Sequence, residues 1–393
     1  MRRRGRADAV VVGAGVVGAA CAAGLAQQGL EVVLVEGSTP TPWSPAAPDL
    51  RVYAFAHDNA RLLGRIGAWD PVLASDAVQP YRRMRVWDAA GGGELVFDAD
   101  AFGRRELGWI LEQALLVDRL WTAVAASGVD VRCPARVESL VHEDEGVELR
   151  LDDGSRVAAR VAIAADGAGS TLRGLAGIDI DSHDYGQAGV VAYVATERPH
   201  EATAWQRFLP GGPLAFLPCA DGSSSIVWSL PAAGAGALMA LDDAGFGDRL
   251  TRAFGGRLGR VEPRSRRVAF PLRRQLARSH LGGRVLLAGD AAHVVHPLAG
   301  QGVNLGLRDV DALLSGVADA RARGAAWDAP QRLARWSRSR RSENAVAAAA
   351  FDGINRLFSN DALLPTLLRG PMLGMAGRLP PLAATLWRRA AGI

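Results

Sequence analysis

The chain has 393 residues, 49% of them hydrophobic, and a formal net charge of only +4. That length can hold two packed domains, and the mild charge, without a module of mixed aromatic and basic residues, argues against nucleic-acid binding. All 45 basic residues are arginines, which excludes a lysine Schiff base, a lysine general base and a P-loop lysine.

The cysteines and the apolar runs indicate the compartment. Cys21, Cys133 and Cys219 are widely separated, so neither a disulfide framework nor a cysteine metal cluster is expected. No apolar run reaches 18 residues, and no apolar signal-peptide core follows the arginines at 2–6. The expected location is the cytoplasm, with a peripheral contact at the inner membrane face as an alternative.

The first recognisable unit is a β-α-β pattern near the N-terminus. An apolar strand at residues 8–12 runs into a Gly-x-Gly-x-x-Gly sequence made by Gly13, Gly15 and Gly18, and a helix of small residues follows. A second apolar strand ends at Glu36, 18 residues after Gly18, where an acid can hold a ribose hydroxyl. This arrangement predicts a dinucleotide site, and the acid favours FAD or NAD over NADP.

The middle of the chain changes to strand periodicity. We predict a helix at 109–127, a hairpin at 137–152 and a buried strand at 160–165 that ends in Asp166-Gly167. Between about 179 and 271, short apolar runs indicate a mostly antiparallel sheet inserted into the nucleotide-binding fold. The runs that support this prediction are 189–196, 204–209, 214–218 and 224–230, and further strand-like runs occur at 84–88 and 95–98.

A second strand-to-helix unit follows at residues 284–306. An apolar run ends in Gly289-Asp290, a loop with a proline follows, and a helix opens after the glycines at 300 and 302. The free amides and the dipole of a helix N-terminus suit an electron-rich group, and Asp290 suits a hydroxyl donor. We therefore expect one ligand to meet both the strand end and the helix start.

The remainder of the chain has a helical pattern. Residues 331–360 predict one or two helices with an arginine-rich face and an alanine-rich face, and residues 363–387 mix Leu and Met with Pro and Gly. This tail is too interrupted to span a bilayer. It packs against the sheet or contacts a membrane surface or a partner.

Three motifs occur in order along the chain: the glycine pattern, Asp166-Gly167 and Gly289-Asp290. Together they resemble those of the FAD-dependent aromatic-ring hydroxylases, which are single-component flavoprotein monooxygenases. Further segments resemble the ubiquinone-biosynthesis branch of this family, so the resemblance covers nearly the whole chain. These segments are residues 51–70, 203–210, 212–218, 296–306, 342–344 and 352–360.

The resemblance implies an α/β fold. It consists of a Rossmann-like FAD-binding fold, an inserted antiparallel β-sheet domain for the substrate and C-terminal helices. The FAD-binding domain would comprise residues 1–178 and 276–330, the substrate domain residues 179–275, and the C-terminal helical region residues 331–393.

The resemblance also assigns residues to FAD. Gly13, Gly15 and Gly18 would approach the pyrophosphate, and Glu36 would hold the adenosine ribose. Four polar residues would serve the phosphates, the ribityl chain or the visiting nicotinamide: Arg51, Gln113, Asp166 and Asp290. The isoalloxazine ring would face Pro297, Gly300, Gly302, Val303 and Asn304.

One position departs from the better-known hydroxybenzoate hydroxylases. Tyr53 stands where those enzymes carry a second arginine that takes part in nicotinamide docking. The electron donor is therefore open between NAD(P)H, which would bind transiently, and a separate protein.

The resemblance implies chemistry that resides in the cofactor. Reduced flavin reacts with O2, and a flavin hydroperoxide delivers oxygen to an electron-rich ring, so no obligate protein catalyst is expected. His296 and Pro297 are the candidates for contact near the flavin, and His293 is expected to fix its loop. No metal site is expected at these histidines, because no third ligand stands at a useful spacing.

The predicted function is hydroxylation of a polyprenylated phenol in ubiquinone biosynthesis. Trp205, Phe216 and Trp228 are mostly expected in the core, and one or two of them are candidates to line the pocket for this lipophilic aromatic substrate. One alternative is hydroxylation of another aromatic compound on the same fold. The other is a non-catalytic, FAD-stabilised subunit of a ubiquinone-biosynthesis complex, which is also the expected protein partner.

Overall fold

A computed structural model describes residues 5–89, 93–295 and 302–358, without the side chains of 351 and 354–358. Three predicted site residues, His296, Pro297 and Gly300, lie outside the described residues, as does the C-terminal segment 359–393.

The first sheet is built around a buried valine-rich strand. β1 pairs in parallel with β2 and β11, with Val10 opposite Val33 and Ala162, and such strands are apolar throughout because both faces are covered. The order β18-β19-β11-β1-β2-β8 is completed by the β9–β10 hairpin, which pairs with β11. The strands are β1 (Ala7–Val12), β2 (Val32–Val35), β8 (Asp130–Arg132), β9 (Val137–Glu143), β10 (Gly146–Leu151), β11 (Arg156–Ala164), β18 (Leu281–Gly282) and β19 (Val285–Leu287).

Helices cover one face of this sheet, and the β9–β10 hairpin contributes to the core on the other. The small residues of the first helix permit close packing, since a Cβ at Gly24 would lie 2.5 Å from a methyl group of Leu314 on the facing helix. The helices of this part of the fold are α1 (Val16–Gln27), α2 (His57–Arg65), α3 (Trp69–Leu73), α4 (Gln113–Ala126), α5 (Thr171–Leu175), α8 (Gly302–Ala322) and α9 (Pro330–Phe358).

A small three-stranded sheet, in the order β3-β7-β4, precedes α4. Its strands are β3 (Val52–Phe55), β4 (Gln79–Tyr81) and β7 (Gly108–Glu112). The predicted helix at 109–127 is therefore wrong over its first four residues. They form a central strand because hydrogen bonds to two neighbouring strands satisfy their backbone, and Ile110 and Leu111 bury their side chains.

The second sheet has the order β20-β17-β12-β15-β14-β13-β5-β6, with β16 paired to β12. It is mostly antiparallel, and α6 (Ala232–Met239) and α7 (Asp243–Ala253) pack on one face. It also recruits β5 and β6, which lie outside the predicted insertion. The strands are β5 (Arg83–Asp88), β6 (Glu94–Asp98), β12 (Ile180–Thr196), β13 (Thr203–Leu209), β14 (Gly212–Pro218), β15 (Ser224–Pro231), β16 (Val261–Pro263), β17 (Val268–Ala277) and β20 (His293–Val294).

The C-terminal part that the structure describes is two helices, α8 and α9. A single helix, α9, accounts for the predicted helical pattern up to residue 358. Among the described residues, no helix combines the length and the apolarity that a membrane span requires.

Candidate functional site

The three glycines of the loop between β1 and α1 differ in how much space surrounds them. A Cβ at Gly13, which has φ +95°, would lie 2.4 Å from the carbonyl oxygen of Ala165, and a Cβ at Gly18 would lie 1.8 Å from that of Gly13. A Cβ at Gly15 would meet no atom within 4 Å. Gly13 and Gly18 are thus needed for the protein's own packing, whereas Gly15 leaves its space open to a ligand.

The helix start beside Gly15 fits a pyrophosphate. Gly15 is the N-cap of α1 and provides no side-chain cap, so the first-turn amides can donate to an anion. The adjoining cleft has a volume of about 430 Å³. Its lining combines the glycine loop with the ends of the neighbouring strands: Val12, Gly13, Gly15, Val35, Glu36, Gly37, Ala135, Arg136, Val137, Ala165, Asp166, Gly167 and Thr171.

Glu36 lies at the end of β2, as the sequence predicts, and already has protein partners. Its Oε2 accepts a 2.6 Å hydrogen bond from the amide of Ala14, and its Oε1 accepts one of 3.1 Å from the amide of Ser38. The carboxylate therefore braces the glycine loop at the edge of the cleft.

Asp166 organises the turn after β11. Its carboxylate accepts hydrogen bonds from the hydroxyl of Ser170 and the amide of Leu172, and Ser170 caps α5 by accepting from the amide of Arg173. The buried guanidinium of Arg173 donates to the carbonyls of Ala168 and Ala291. Asp166 lines the cleft, but its side chain acts on its own loop.

Arg51, Gln113 and Asp290 are far apart in sequence and are brought near one another around Tyr53. The amide of Gln113 donates to the carbonyl of Arg51 at 2.8 Å, and the Tyr53 hydroxyl donates to Oε1 of Gln113. Burial raises the pKa of Tyr53, and the nearby charge of Asp290 acts in the same direction. Tyr53 is therefore a neutral hydroxyl that orients Gln113.

Asp290 projects from a tight turn that follows β19. The residue is exposed to solvent. Desolvation by the surrounding protein raises the pKa of its carboxyl, while the charges of His293 and Arg51 lower it. A carboxylate in this position is suited to accept a hydrogen bond from a hydroxyl group.

A buried residue that the sequence motifs did not reveal holds the backbone around Asp290 in place. Oδ2 of the buried Asp309 on α8 accepts hydrogen bonds from the amide of Gly289 at 3.0 Å and from Nε2 of His293 at 2.6 Å. His293 is thus a buried residue that fixes the loop. Nowhere in the described part of the chain do three His, Cys, Asp or Glu side chains form a group that could hold a metal ion.

The start of α8 lies against the glycine loop. A Cβ at Gly306 would be 2.7 Å from a methyl group of Val17 and 3.0 Å from the Cα of Gly289. Nothing lies within 4 Å of a Cβ built on Gly302, and the side chain of Val303 is buried. Close packing thus fixes the position of the helix start relative to α1 and the Asp290 turn.

The side chain of Asn304 has partners within the protein. Its buried amide accepts from the amide of Ala56 and from Nδ2 of Asn59, and it donates to the carbonyl of Ala54. The side chain therefore joins α8 to the turn between β3 and α2. Contact between Asn304 and the flavin remains a prediction. Because these partners occupy its side chain, the backbone of Asn304 would make that contact.

Trp205, Phe216 and Trp228 all point to the α6–α7 side of the second sheet. Phe216 and Trp228 are buried in the core there, as most of the three were expected to be, with Phe216 against Phe254 at a ring distance of 4.2 Å, and the half-buried Trp205 packs against this core. This side is not the one that meets the nucleotide-binding domain, so the structure gives no support to a role of these rings in the substrate pocket. The opposite side faces β3 and β7, where Ala204 packs with Ala54 and Ile110. Period-two alternation identifies two faces of a strand, but it does not show which face meets the nucleotide-binding domain.

Sequence analysis also missed the partners that hold the predicted motifs in place: Arg173, Asp309, Arg340 and Asn344. One signal was available, because Asp309 interrupts the buried face of an apolar helix, and a buried acid requires partners. Which residues supply them depends on how α8 and α9 pack.

Comparison with known proteins agrees with this geometry. Residues 6–350 match the protein family described as FAD binding domain. Ubiquinone hydroxylase UbiL of Rhodospirillum rubrum is 38% identical over 98% of this chain and 90% of its own length. The 3-demethoxyubiquinol 3-hydroxylase of Escherichia coli is 38% identical over 92% of this chain and 91% of its own.

A solved structure shares the fold at lower sequence identity. p-Nitrophenol 4-monooxygenase PnpA from Pseudomonas putida superimposes with a TM-score of 0.77 at 20% identity, covering 98% of both chains. The Rossmann-like FAD-binding fold with a second sheet, expected from the motifs, is thereby confirmed.

Proposed function

Because the chain belongs to the family of FAD-dependent aromatic-ring hydroxylases, we propose that its substrate is a polyprenylated phenol of ubiquinone biosynthesis. The protein binds FAD and uses an aromatic substrate and O2. The observation that carries the choice of substrate is the identity of 38% to a ubiquinone hydroxylase and to a 3-demethoxyubiquinol 3-hydroxylase, over nearly the full length of each.

Bound FAD supplies the oxygen-activating chemistry, and the residues of this chain bind and orient it. We assign the amides beside Gly15 to the pyrophosphate, Glu36 to the adenosine ribose, and Asp290 to a hydroxyl of the ribityl chain. Arg51 provides positive charge on the same side as Asp290. The amides at the start of α8 would stabilise negative charge on the reduced ring.

The side of the second sheet that faces β3 and β7 supports our proposal of a hydrophobic aromatic substrate. Cross-strand neighbours on this side include Val191, Ala215 and Val227, beside the larger Tyr193 and the polar Gln206, whereas Phe216 and Trp228 lie on the opposite side. The contact of Ala204 and Leu217 with Ala54 and Ile110 excludes water between the two sheets. A site bordered by these apolar side chains favours an uncharged, hydrophobic ring over a charged one.

We also propose peripheral binding to a membrane surface, where a polyprenylated substrate would reside. Arg335, Arg338 and Arg341 are exposed on α9, and Val346 on the same helix is 65% exposed. Arginines near anionic lipid contribute about 1 kcal/mol each. Sedimentation with anionic but not zwitterionic vesicles is expected, and failure to bind either kind would contradict this proposal.

The substrate is tested by complementation. An Escherichia coli strain that lacks its 3-demethoxyubiquinol 3-hydroxylase would receive either this chain or its Gly15→Val variant, whose side chain would occupy the pyrophosphate space. Quinone analysis by mass spectrometry should show ubiquinone restored by the wild-type chain alone. Accumulation of the unhydroxylated precursor despite FAD-loaded protein would favour another aromatic substrate or a non-catalytic role in a biosynthetic complex.

The electron donor requires a separate experiment. We propose NAD(P)H in transient contact, since the described residues contain a single strand-linked glycine loop of this kind and FAD occupies it. Rapid mixing of the FAD-loaded protein with NADH or NADPH, with and without substrate, should bleach the flavin absorbance. No bleaching with either nucleotide would identify a protein donor instead.

A further inference from the structure

The carboxylate of Asp309 is shared between the FAD-binding loop and α9. It is fully buried and accepts four hydrogen bonds, two on each oxygen. Oδ2 accepts hydrogen bonds from the amide of Gly289 and from Nε2 of His293. These two residues stand at the two ends of the turn that carries Asp290. Oδ1 receives Nε of Arg340 at 2.8 Å and Nδ2 of Asn344 at 3.1 Å.

We propose that Arg340 and Asn344 on α9 are positioning residues for FAD, acting through Asp309 on the Gly289–His293 turn. They do not touch the cofactor in this assignment. They fix the carboxylate whose other oxygen holds the turn, so FAD affinity depends on how α9 is seated. The proposal rests on FAD binding alone and not on the identity of the aromatic substrate.

Arg340 is the charged partner that allows this arrangement. Burial by itself would raise the pKa of Asp309, but the charges and hydrogen bonds of His293 and Arg340 outweigh it and hold the pKa well below its usual range. The Arg340 guanidinium is itself buried, and it also donates to Oδ1 of Asn344 and pairs with Glu343. Loss of one partner of such a pair leaves an uncompensated buried charge.

The packing of α9 on α8 reinforces the same connection. Nε1 of Trp336 donates to the backbone carbonyl of Asp309 at 3.3 Å. The four donors fill the acceptor positions of a carboxylate, so a shift of α9 cannot be compensated by another hydrogen bond to Asp309. The turn would instead follow the carboxylate or lose its bond to it.

The test compares FAD binding with the stability of the apoprotein. Flavin-free Arg340→Met and Arg340→Lys variants would be titrated with FAD by fluorescence, with Arg338→Met, an exposed arginine on the same helix, as the matched control. We expect Arg340→Met to raise the Kd for FAD about tenfold. Arg340→Lys should be intermediate, because it keeps the charge, and Arg338→Met should match the wild type.

A purely structural role predicts a different pattern. In that case Arg340→Met would lower the melting temperature of the apoprotein but leave the Kd for FAD within about twofold of the wild-type value, and the proposal would be overturned.

If Arg340→Met does not fold, Asn344→Leu decides, because it removes one donor to Oδ1 and keeps the charge pair. We expect the Kd for FAD to rise threefold or more, which is the order of magnitude that the loss of a single hydrogen bond produces. The visible circular dichroism of the bound flavin should change as well. An unchanged Kd and an unchanged spectrum for Asn344→Leu would overturn the proposal.

Discussion

The guanidinium of Arg173 donates a 2.9 Å hydrogen bond to the carbonyl oxygen of Ala291, 118 positions further along the chain. Arg173 belongs to the turn organised by Asp166, and Ala291 directly follows Asp290. This hydrogen bond therefore joins two of the three motifs on which the resemblance to the family rests. Asp309 holds the second of these turns from the opposite side.

Replacement of Arg173 should loosen both turns. In Arg173→Met the carbonyls of Ala168 and Ala291 lose a buried charged donor, and hydrogen bonds to charged groups are worth about 1.5–3 kcal/mol. We expect the free energy of unfolding of the apoprotein, measured in urea, to fall by about that amount. Arg173→Lys should recover part of the loss, and equal stability of Met and Lys variants would contradict this role.

Gly15 and Gly18 should respond in opposite ways to the same substitution. In Gly18→Ala the new methyl group collides with the carbonyl of Gly13, whereas in Gly15→Ala it enters open space in the protein. Gly18→Ala should therefore destabilise the apoprotein. Gly15→Ala should keep the melting temperature of the apoprotein but weaken FAD binding, because the methyl group lies where the pyrophosphate approaches. Thermal melts and FAD titration of both variants check this prediction. A Gly15→Ala variant with the FAD affinity of the wild type would contradict it.

Phe216 should matter for stability and not for the cofactor site. Its ring is fully buried on the α6–α7 side of the second sheet, and Phe→Ala in a core costs about 3–5 kcal/mol. Urea unfolding of Phe216→Ala should show a loss of that size. The Kd for FAD of the folded fraction should stay at the wild-type value; a large change would place Phe216 in contact with the site.

His280 should make the protein sensitive to acid. Burial lowers the pKa of its imidazole to about 4, against 6.5 for an unburied group. As pH falls below about 6.5 the unfolded chain binds a proton that the folded chain takes up only near pH 4, so stability decreases across this window. The full loss from this residue is on the order of 3 kcal/mol.

The variant His280→Gln cannot take up this proton. Its free energy of unfolding should therefore depend less on pH than that of the wild type between about pH 6.5 and pH 4. Urea titrations at half-unit steps measure the two curves. Parallel curves across the window would show that His280 does not contribute to the acid sensitivity.

Much of the fold was predictable because its signals are local. The glycine loop with its flanking strands and Glu36 lies within about 30 consecutive residues, as is typical of a β-α-β unit, and the structure has each element in place. Six of the nine described strands of the second sheet were also identified from short apolar runs, β12 only over its second half, whereas β16, β17 and β20 were not. The strand Gly108–Glu112 was not, because a short apolar run beside a helix has no periodicity of its own.

The sequence by itself determined the family and the cofactor, because each depends on motifs whose residues lie close together in the chain. Only the tertiary structure decided which face of the second sheet is core, placing Trp205, Phe216 and Trp228 against α6 and α7. It also decided that Asp309, Arg340 and Asn344 meet. The physical reason is that a buried charge is stable only beside its partners, and packing brings those partners from distant helices.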